Sequence, residues 1–66
     1  MNKRDLVKDL KNYVNAGFIT RGQLAKYMGK KDPHDVDKFL YGLERVGKNY
    51  FIPDVAESII SMRSLR

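Results

Sequence analysis

No cysteine occurs among the 66 residues of this chain, and only one histidine does. Natural domains below about 70–80 residues bury a small core and commonly lean on disulfides or a structural metal. Here no disulfide framework and no thiolate zinc site can form, and a single imidazole excludes most histidine metal centres. Stability has to come from an aliphatic core, or from a partner. Hydrophobic residues make up 42% of the chain and charged residues 32%, the balance of a globular domain and not of a disordered segment. One domain is expected over residues 1–66, with no cofactor and no metal.

No run approaches the roughly 18 apolar residues that a membrane span needs. The start, Met1-Asn2-Lys3-Arg4-Asp5, leads into mixed charge instead of an apolar signal core. The expected setting is cytoplasmic, with no membrane contact. Lysine and arginine outnumber aspartate and glutamate by 13 to 8, giving a formal charge of +5. An isoelectric point near 9.7 favours a polyanionic partner through counterion release. Basic surface also serves solubility alone, so charge by itself leaves the partner open.

Apolar residues Leu6, Val7, Leu10, Tyr13 and Val14 recur at helical spacing, which predicts a helix over about 2–15 with Ala16-Gly17 as its stop. Asp5 and Asp9 alternate with Lys8 and Lys11 on the polar side, which argues for a core-covering helix and against a membrane-surface one. Phe18-Ile19 is too short for a helix and forms a short strand into Thr20. Thr20-Arg21-Gly22-Gln23 fits a capping box, so a second helix starts at about Arg21, buries Leu24, Ala25 and Met28, and ends at Gly29. Ala25 followed by Gly29 is a spacing that helix-turn-helix units use. Lys30-Lys31 connects to Asp32-Pro33, an N-cap with proline at the first helical position. In the third helix Val36, Phe39, Leu40 and Leu43 share one face, while His34, Lys38 and Tyr41 share the other with Asp37 at its border. That helix stops at Gly42 or runs on through Val46 to Gly47. In the first case Leu43–Val46 and Tyr50–Ile52 make a hairpin tipped by Lys48 and Asn49. Asp54-Val55-Ala56-Glu57 then fits a second capping box, opening a last helix over about 54–63, with Val55, Ile59, Ile60 and Met62 apolar before a basic tail from Arg63 to Arg66.

From Phe18 to about Met62 the chain resembles the excisionase-type winged helix, a branch of the MerR-like DNA-binding domains. The resemblance is carried by the short strand into Thr20, by Gln23-Leu24-Ala25-Lys26-Tyr27-Met28-Gly29, by Val36-Asp37-Lys38-Phe39-Leu40, and above all by Val46-Gly47-Lys48-Asn49-Tyr50-Phe51-Ile52-Pro53, which is similar to that family's wing. It implies a mainly α fold with a small β-hairpin: a winged helix-turn-helix (about 20–42), a wing (43–53), a C-terminal helix and an extra N-terminal helix. It also implies that the helix from Pro33 to Tyr41 enters a major groove while the wing tip approaches phosphates or the adjacent minor groove. Two departures stand out. The connection between the motif helices is longer than the family's usual turn, and Asp35 and Asp37 occupy positions where arginine or neutral residues are common.

The expected DNA contacts are Arg21, Lys30, Lys31, His34, Lys38, Tyr41, Arg45, Lys48 and Asn49. Lys30 and Lys31 precede a helix N-terminus, where backbone N–H groups favour phosphate. Lys38 fits guanine O6 or N7, or a phosphate. Tyr41 either rests on the sugar-phosphate backbone or covers the core edge. If the hairpin forms, Lys48 and Asn49 project toward the duplex; if the helix continues, Arg45 joins the His34-Lys38-Tyr41 stripe. Asp35 and Asp37 match cytosine N4 in principle, but near a helix start they ordinarily complement the macrodipole. Tyr50, Phe51 and Ile52 read as strand packing more than as a stacking platform.

No glycine-rich phosphate loop, Cys/His pair or walled acidic pair points to an enzyme. The function expected from the resemblance is sequence-specific binding of double-stranded DNA, as a mobile-element recombination directionality factor or a small transcriptional regulator. An integrase or recombinase is the implied protein partner. The alternative is a winged-helix interaction module that docks on a recombinase or a transcription component. So small a monomer binds loosely, which favours several copies on adjacent sites, with self-contact through helix 1 and Ser58 to Arg66, where Ile60 and Leu65 remain apolar.

Overall fold

The computed structural model describes residues 2–64, and Leu65 and Arg66, part of the expected basic tail and self-contact surface, lie outside the described residues. Among the described residues, four α-helices, one 3-10 turn and three short strands run in the order α1 (Lys3–Val14), β1 (Phe18–Thr20), α2 (Arg21–Tyr27), the 3-10 turn Pro33–Val36, α3 (Asp37–Leu40), β2 (Arg45–Val46), β3 (Asn49–Phe51) and α4 (Ile52–Ser64). The chain is therefore mainly helical with a small antiparallel sheet. Among the described residues no helix is long and apolar enough to cross a membrane.

Local chemistry explains most boundaries. Asn2 caps α1 by accepting from the Asp5 amide at 2.9 Å. The stop expected at Gly17 comes earlier: Asn15 takes the left-handed conformation at φ 56, which asparagine adopts more readily than most residues. Gly17 serves the sheet instead, its carbonyl accepting from the Ile52 amide at 3.2 Å. The capping box of α2 is complete, with Thr20 Oγ1 accepting from the Gln23 amide at 3.1 Å and Gln23 Oε1 from the Thr20 amide at 2.9 Å. Its far end is a Schellman motif around Gly29, at φ 73: the Lys30 amide donates to Ala25 O at 2.8 Å and the Gly29 amide to Lys26 O at 3.1 Å.

The expected single helix from Pro33 to Tyr41 is two pieces. Asp32 caps it, accepting from the His34 amide at 3.0 Å, and Pro33 opens it as the sequence predicts. The first turn is 3-10, and β-branched Val36, at φ −102 and ψ −1, interrupts it before one α-turn completes the segment. Tyr41 is already extended at ψ 128 and Gly42 is left-handed at φ 81, so the helix does not continue to Val46 and the hairpin forms.

The hairpin is shorter than expected, and its tip is Gly47-Lys48. Val46 pairs with Asn49, so Asn49 is the first residue of β3 and not part of the tip. Gly47, at φ 64, takes the first position of this two-residue turn. β3 lies in the middle of the sheet, in the order β1-β3-β2. Phe18, Ile19 and Thr20 face Phe51, Tyr50 and Asn49, and Arg45 also faces Tyr50.

Directly opposed residues share a sheet face, so Ile19, Tyr50 and Arg45 point one way and Phe18, Phe51, Thr20, Asn49 and Val46 the other. Ile19 is fully buried, whereas Phe18 and Phe51 are exposed with ring centroids 5.4 Å apart, so the packing of Phe51 is across the strands and outside the core.

The capping box expected at Asp54 and Glu57 does not open α4. The helix starts two residues earlier at Ile52, because that residue's amide is held by the sheet through Gly17, and Pro53 in the first turn has no N–H to satisfy. Glu57 instead meets Lys3 of α1 at 3.5 Å.

The core gathers Leu6 and Leu10 from α1, Ile19, Leu24 and Ala25, Val36, Phe39 and Leu40, and Ile52, Val55, Ala56 and Ile59 from α4. Among the described residues it contains no buried polar or charged residue. Met28, Leu43, Ile60 and Met62 pack against it only partly.

Candidate nucleic-acid interface

The end of α2 and the turn after it carry three cations into one cleft. Lys26, on the last turn of α2, and Lys30 and Lys31, after the Schellman motif, line a cleft of about 310 Å³ with Gly22, Gln23, Ala25 and Pro33. Ala25 makes the cleft possible, since a small side chain lets the 3-10 turn pack closely on α2. Lys26 was not among the expected contacts, although its place four residues before Lys30 was a readable signal. The backbone donors expected to draw phosphate beside these lysines are taken: Asp32 accepts the His34 amide through its side chain and the Asp35 amide through its carbonyl, each at 3.0 Å. Attraction here rests on the ammonium groups.

On the other side of the 33–40 segment a groove of about 390 Å³ is lined by Arg21, His34, Asp37, Leu40, Tyr41 and Tyr50. The 3-10 turn sets its chemistry, because residues three apart eclipse there and His34 stands over Asp37. Arg21 Nε lies 2.7 Å from Asp37 Oδ1 and Nη2 donates to Oδ2 at 3.2 Å. The Nε contact lacks hydrogen-bond alignment although the atom is shut off from solvent, so it is a contact ion pair. Arg21 Nη2 also touches His34 Nδ1, which faces Asp37 Oδ2 at 3.2 Å. With its proton on Nε2 alone the ring accepts from Arg21 through Nδ1, and with a proton on Nδ1 it donates to Asp37. Arg21, expected as a phosphate contact, is thus held by Asp37.

Tyr41 is 92% exposed and does not cover the core edge. Lys38 stands outside the groove, its Nζ 5.2 Å from the Phe39 ring centroid, so the expected stripe of His34, Lys38 and Tyr41 keeps only its two ring members in one place.

The hairpin alternatives resolve in a mixed way. Lys48 is exposed at the tip, while Asn49 lines a different cleft, of about 330 Å³, on the outer sheet face with Val14, Ala16, Phe18, Thr20, Gln23 and Val46. Arg45, expected at the interface only if the helix continued, shares the inner face with Tyr50 and so stands beside the groove even though the hairpin forms. Tyr50, read as strand packing, also lines that groove.

Among the residues whose side chains are described, Lys3 and Arg21 are the only lysine and arginine in ion pairs. Lys26, Lys30, Lys31, Lys38, Arg45 and Lys48 carry uncompensated charge on and around α2, the 33–40 segment and the hairpin. Compared with protein-family profiles, with curated proteins and with solved structures, the chain matches none.

Proposed function

We propose that this chain binds double-stranded DNA sequence-specifically as a winged helix-turn-helix domain, with α2 and the 33–41 segment as the motif helices and β2-β3 as the wing. The observation that carries the reading is the cleft of Lys26, Lys30 and Lys31 against the start of the 33–40 segment, with no carboxylate paired to any of the three. An anionic backbone is the ligand that such a cleft satisfies. The acidic residues of the second motif helix fit the same reading. Asp32 is spent on the cap and Asp37 on Arg21, so the segment presents less negative charge than its sequence suggests. His34 and Tyr41 then offer a donor and a ring for a base edge or sugar. Service as a recombination directionality factor or a small transcriptional regulator, alongside an integrase or recombinase, follows from the sequence resemblance.

Selection from a random duplex library followed by salt titration tests it. Enrichment of a common site, with affinity falling as salt rises, is expected; no enriched site and no salt dependence would overturn the proposal.

A second reading has its own support. Phe18, Phe51 and Val46 expose an apolar patch on the outer sheet face, beside the cleft that Asn49 lines, and such patches commonly serve protein contact. Docking of a recombinase or transcription component there is compatible with DNA held by the lysine cleft of α2 and the 33–41 segment. A Phe51→Ser variant that loses partner capture but keeps duplex affinity would separate the two.

A further inference from the structure

In sequence the cations of α1 are mixed with Asp5 and Asp9, and folding sorts them. With 3.6 residues per turn, Arg4, Lys8 and Lys11 lie roughly 120–180° around the helix from the midline between Leu6 and Leu10. Those two leucines are buried, so the three cations point away from the core, and all three are exposed. The flank of α1 that meets α2 is marked by Asp9 and Tyr13: Tyr27 donates to Asp9 Oδ2, and the Tyr13 and Tyr27 rings meet edge-on at 5.2 Å. Arg4, Lys8 and Lys11 lie roughly 100–180° around from that flank. Lys3, toward α4, is paired with Glu57, but no carboxylate pairs with Arg4, Lys8 or Lys11. Asp5 shares their shallow cleft with Asn2 and Val7, and it sits in the first turn, where the helix N-terminus favours a carboxylate.

The geometry points to a second phosphate-binding surface, Arg4-Lys8-Lys11, facing away from α2 and taking the backbone of a second duplex segment while the α2 and 33–41 interface holds the first. This rests on the DNA-binding reading. Charge complementarity selects the occupant, since the stripe is cationic, lacks an apolar anchor beyond Val7 and runs along one straight helix. The whole body measures 29 × 23 × 23 Å, and with surfaces facing different ways it would hold two duplex segments side by side.

The test uses the full chain, a short immobilised duplex and a second, fluorescent duplex. Wild-type protein should retain the second duplex on the first. The R4Q/K8Q/K11Q variant should lose that retention at least tenfold while its affinity for one short duplex, and the salt slope of that affinity, stay within twofold. The R4K/K8R/K11R variant should restore retention, which excludes loss of the fold as the cause. If the glutamine variant instead loses up to about 2.7 in salt slope on one duplex, α1 lies on the same DNA as α2 and bridging is overturned. Retention that survives in that variant assigns bridging to paired copies of the chain and overturns it equally. Single-duplex binding without any wild-type retention sinks the second surface alone, whereas no duplex binding by wild-type protein sinks the DNA-binding reading as well.

Discussion

Arg21 and Asp37 open α2 and α3, and their side chains meet at 2.7 Å, so one ion pair ties the two helices at their N-terminal ends. The pair is partly open to water, with Arg21 38% and Asp37 51% exposed, and exposed pairs contribute only about 0–1 kcal/mol. Its larger effect is on ligand binding, because a guanidinium engaged by a carboxylate is not free for a phosphate. Asp37→Asn should therefore raise duplex affinity several-fold and move stability by less than about 1 kcal/mol. Anisotropy titration and thermal melting read the two effects; an affinity that falls would mean that Asp37 itself contacts the DNA.

Lys26, Lys30 and Lys31 should behave as separate phosphate contacts. Each substitution to glutamine is expected to lower the slope of log affinity against log salt by about 0.9 and to weaken all duplex sequences alike. Titrations of a selected and a scrambled duplex over several salt concentrations check this. A Lys26→Gln variant indistinguishable from wild type would remove that residue from the interface.

Gly42 permits the hairpin through its backbone alone. A methyl group there meets nothing within 4 Å, yet the residue sits at φ +81, a conformation that costs an L-residue roughly 1–2 kcal/mol. Gly42→Ala should thus lower stability by about that amount, measured by urea unfolding. Gly22→Ala, in α2 with equally open space, should be neutral or stabilising, because alanine favours a helix over glycine by roughly 1 kcal/mol.

Tyr27 gives the fold a dependence on alkali. Burial, the hydrogen bond to Asp9 and the charge of that carboxylate raise its hydroxyl from 10.0 to about 12. Because the folded state holds this proton more tightly than the unfolded one, its contribution is complete below pH 10 and is lost as pH rises from about 10 to about 12. The melting temperature should fall across that window more steeply in wild type than in Tyr27→Phe. Parallel curves would show that the hydroxyl does not couple to folding.

How much the sequence reveals depends on the reach of each interaction. The Thr20-Gln23 box, the left-handed Gly29 and the Asp32-Pro33 start are settled within a few residues and are readable. The first residue of α4 is not: Asp54 and Glu57 have the spacing of a cap, but the amide that places the helix is bound to Gly17, far back in the chain. Gly17 likewise has the sequence position of a helix stop, while its strand-end role depends on the distant Ile52. In the candidate site, the four-residue spacing of Lys26 and Lys30 is legible in the sequence. The engagement of Arg21 by His34 and Asp37 joins residues 13 and 16 positions apart and needed the fold to appear. Arg45 illustrates the same limit, since its face is set by register against Tyr50.

Phe51 ends the sheet and Ile52 begins α4 with no residue between, and the Ile52 side chain is fully buried. The hairpin is therefore built in at one end like a cantilever, clamped through Ile52 to the longest helix of the fold. Its other end is a run of four residues, 41–44, outside any helix or strand, with left-handed Gly42 among them. Motion of the Lys48 tip then has one compliant joint and one fixed support. A load applied at the tip bends the chain at residues 41–44, next to Tyr41 and the groove, while α4 stays in register with the core.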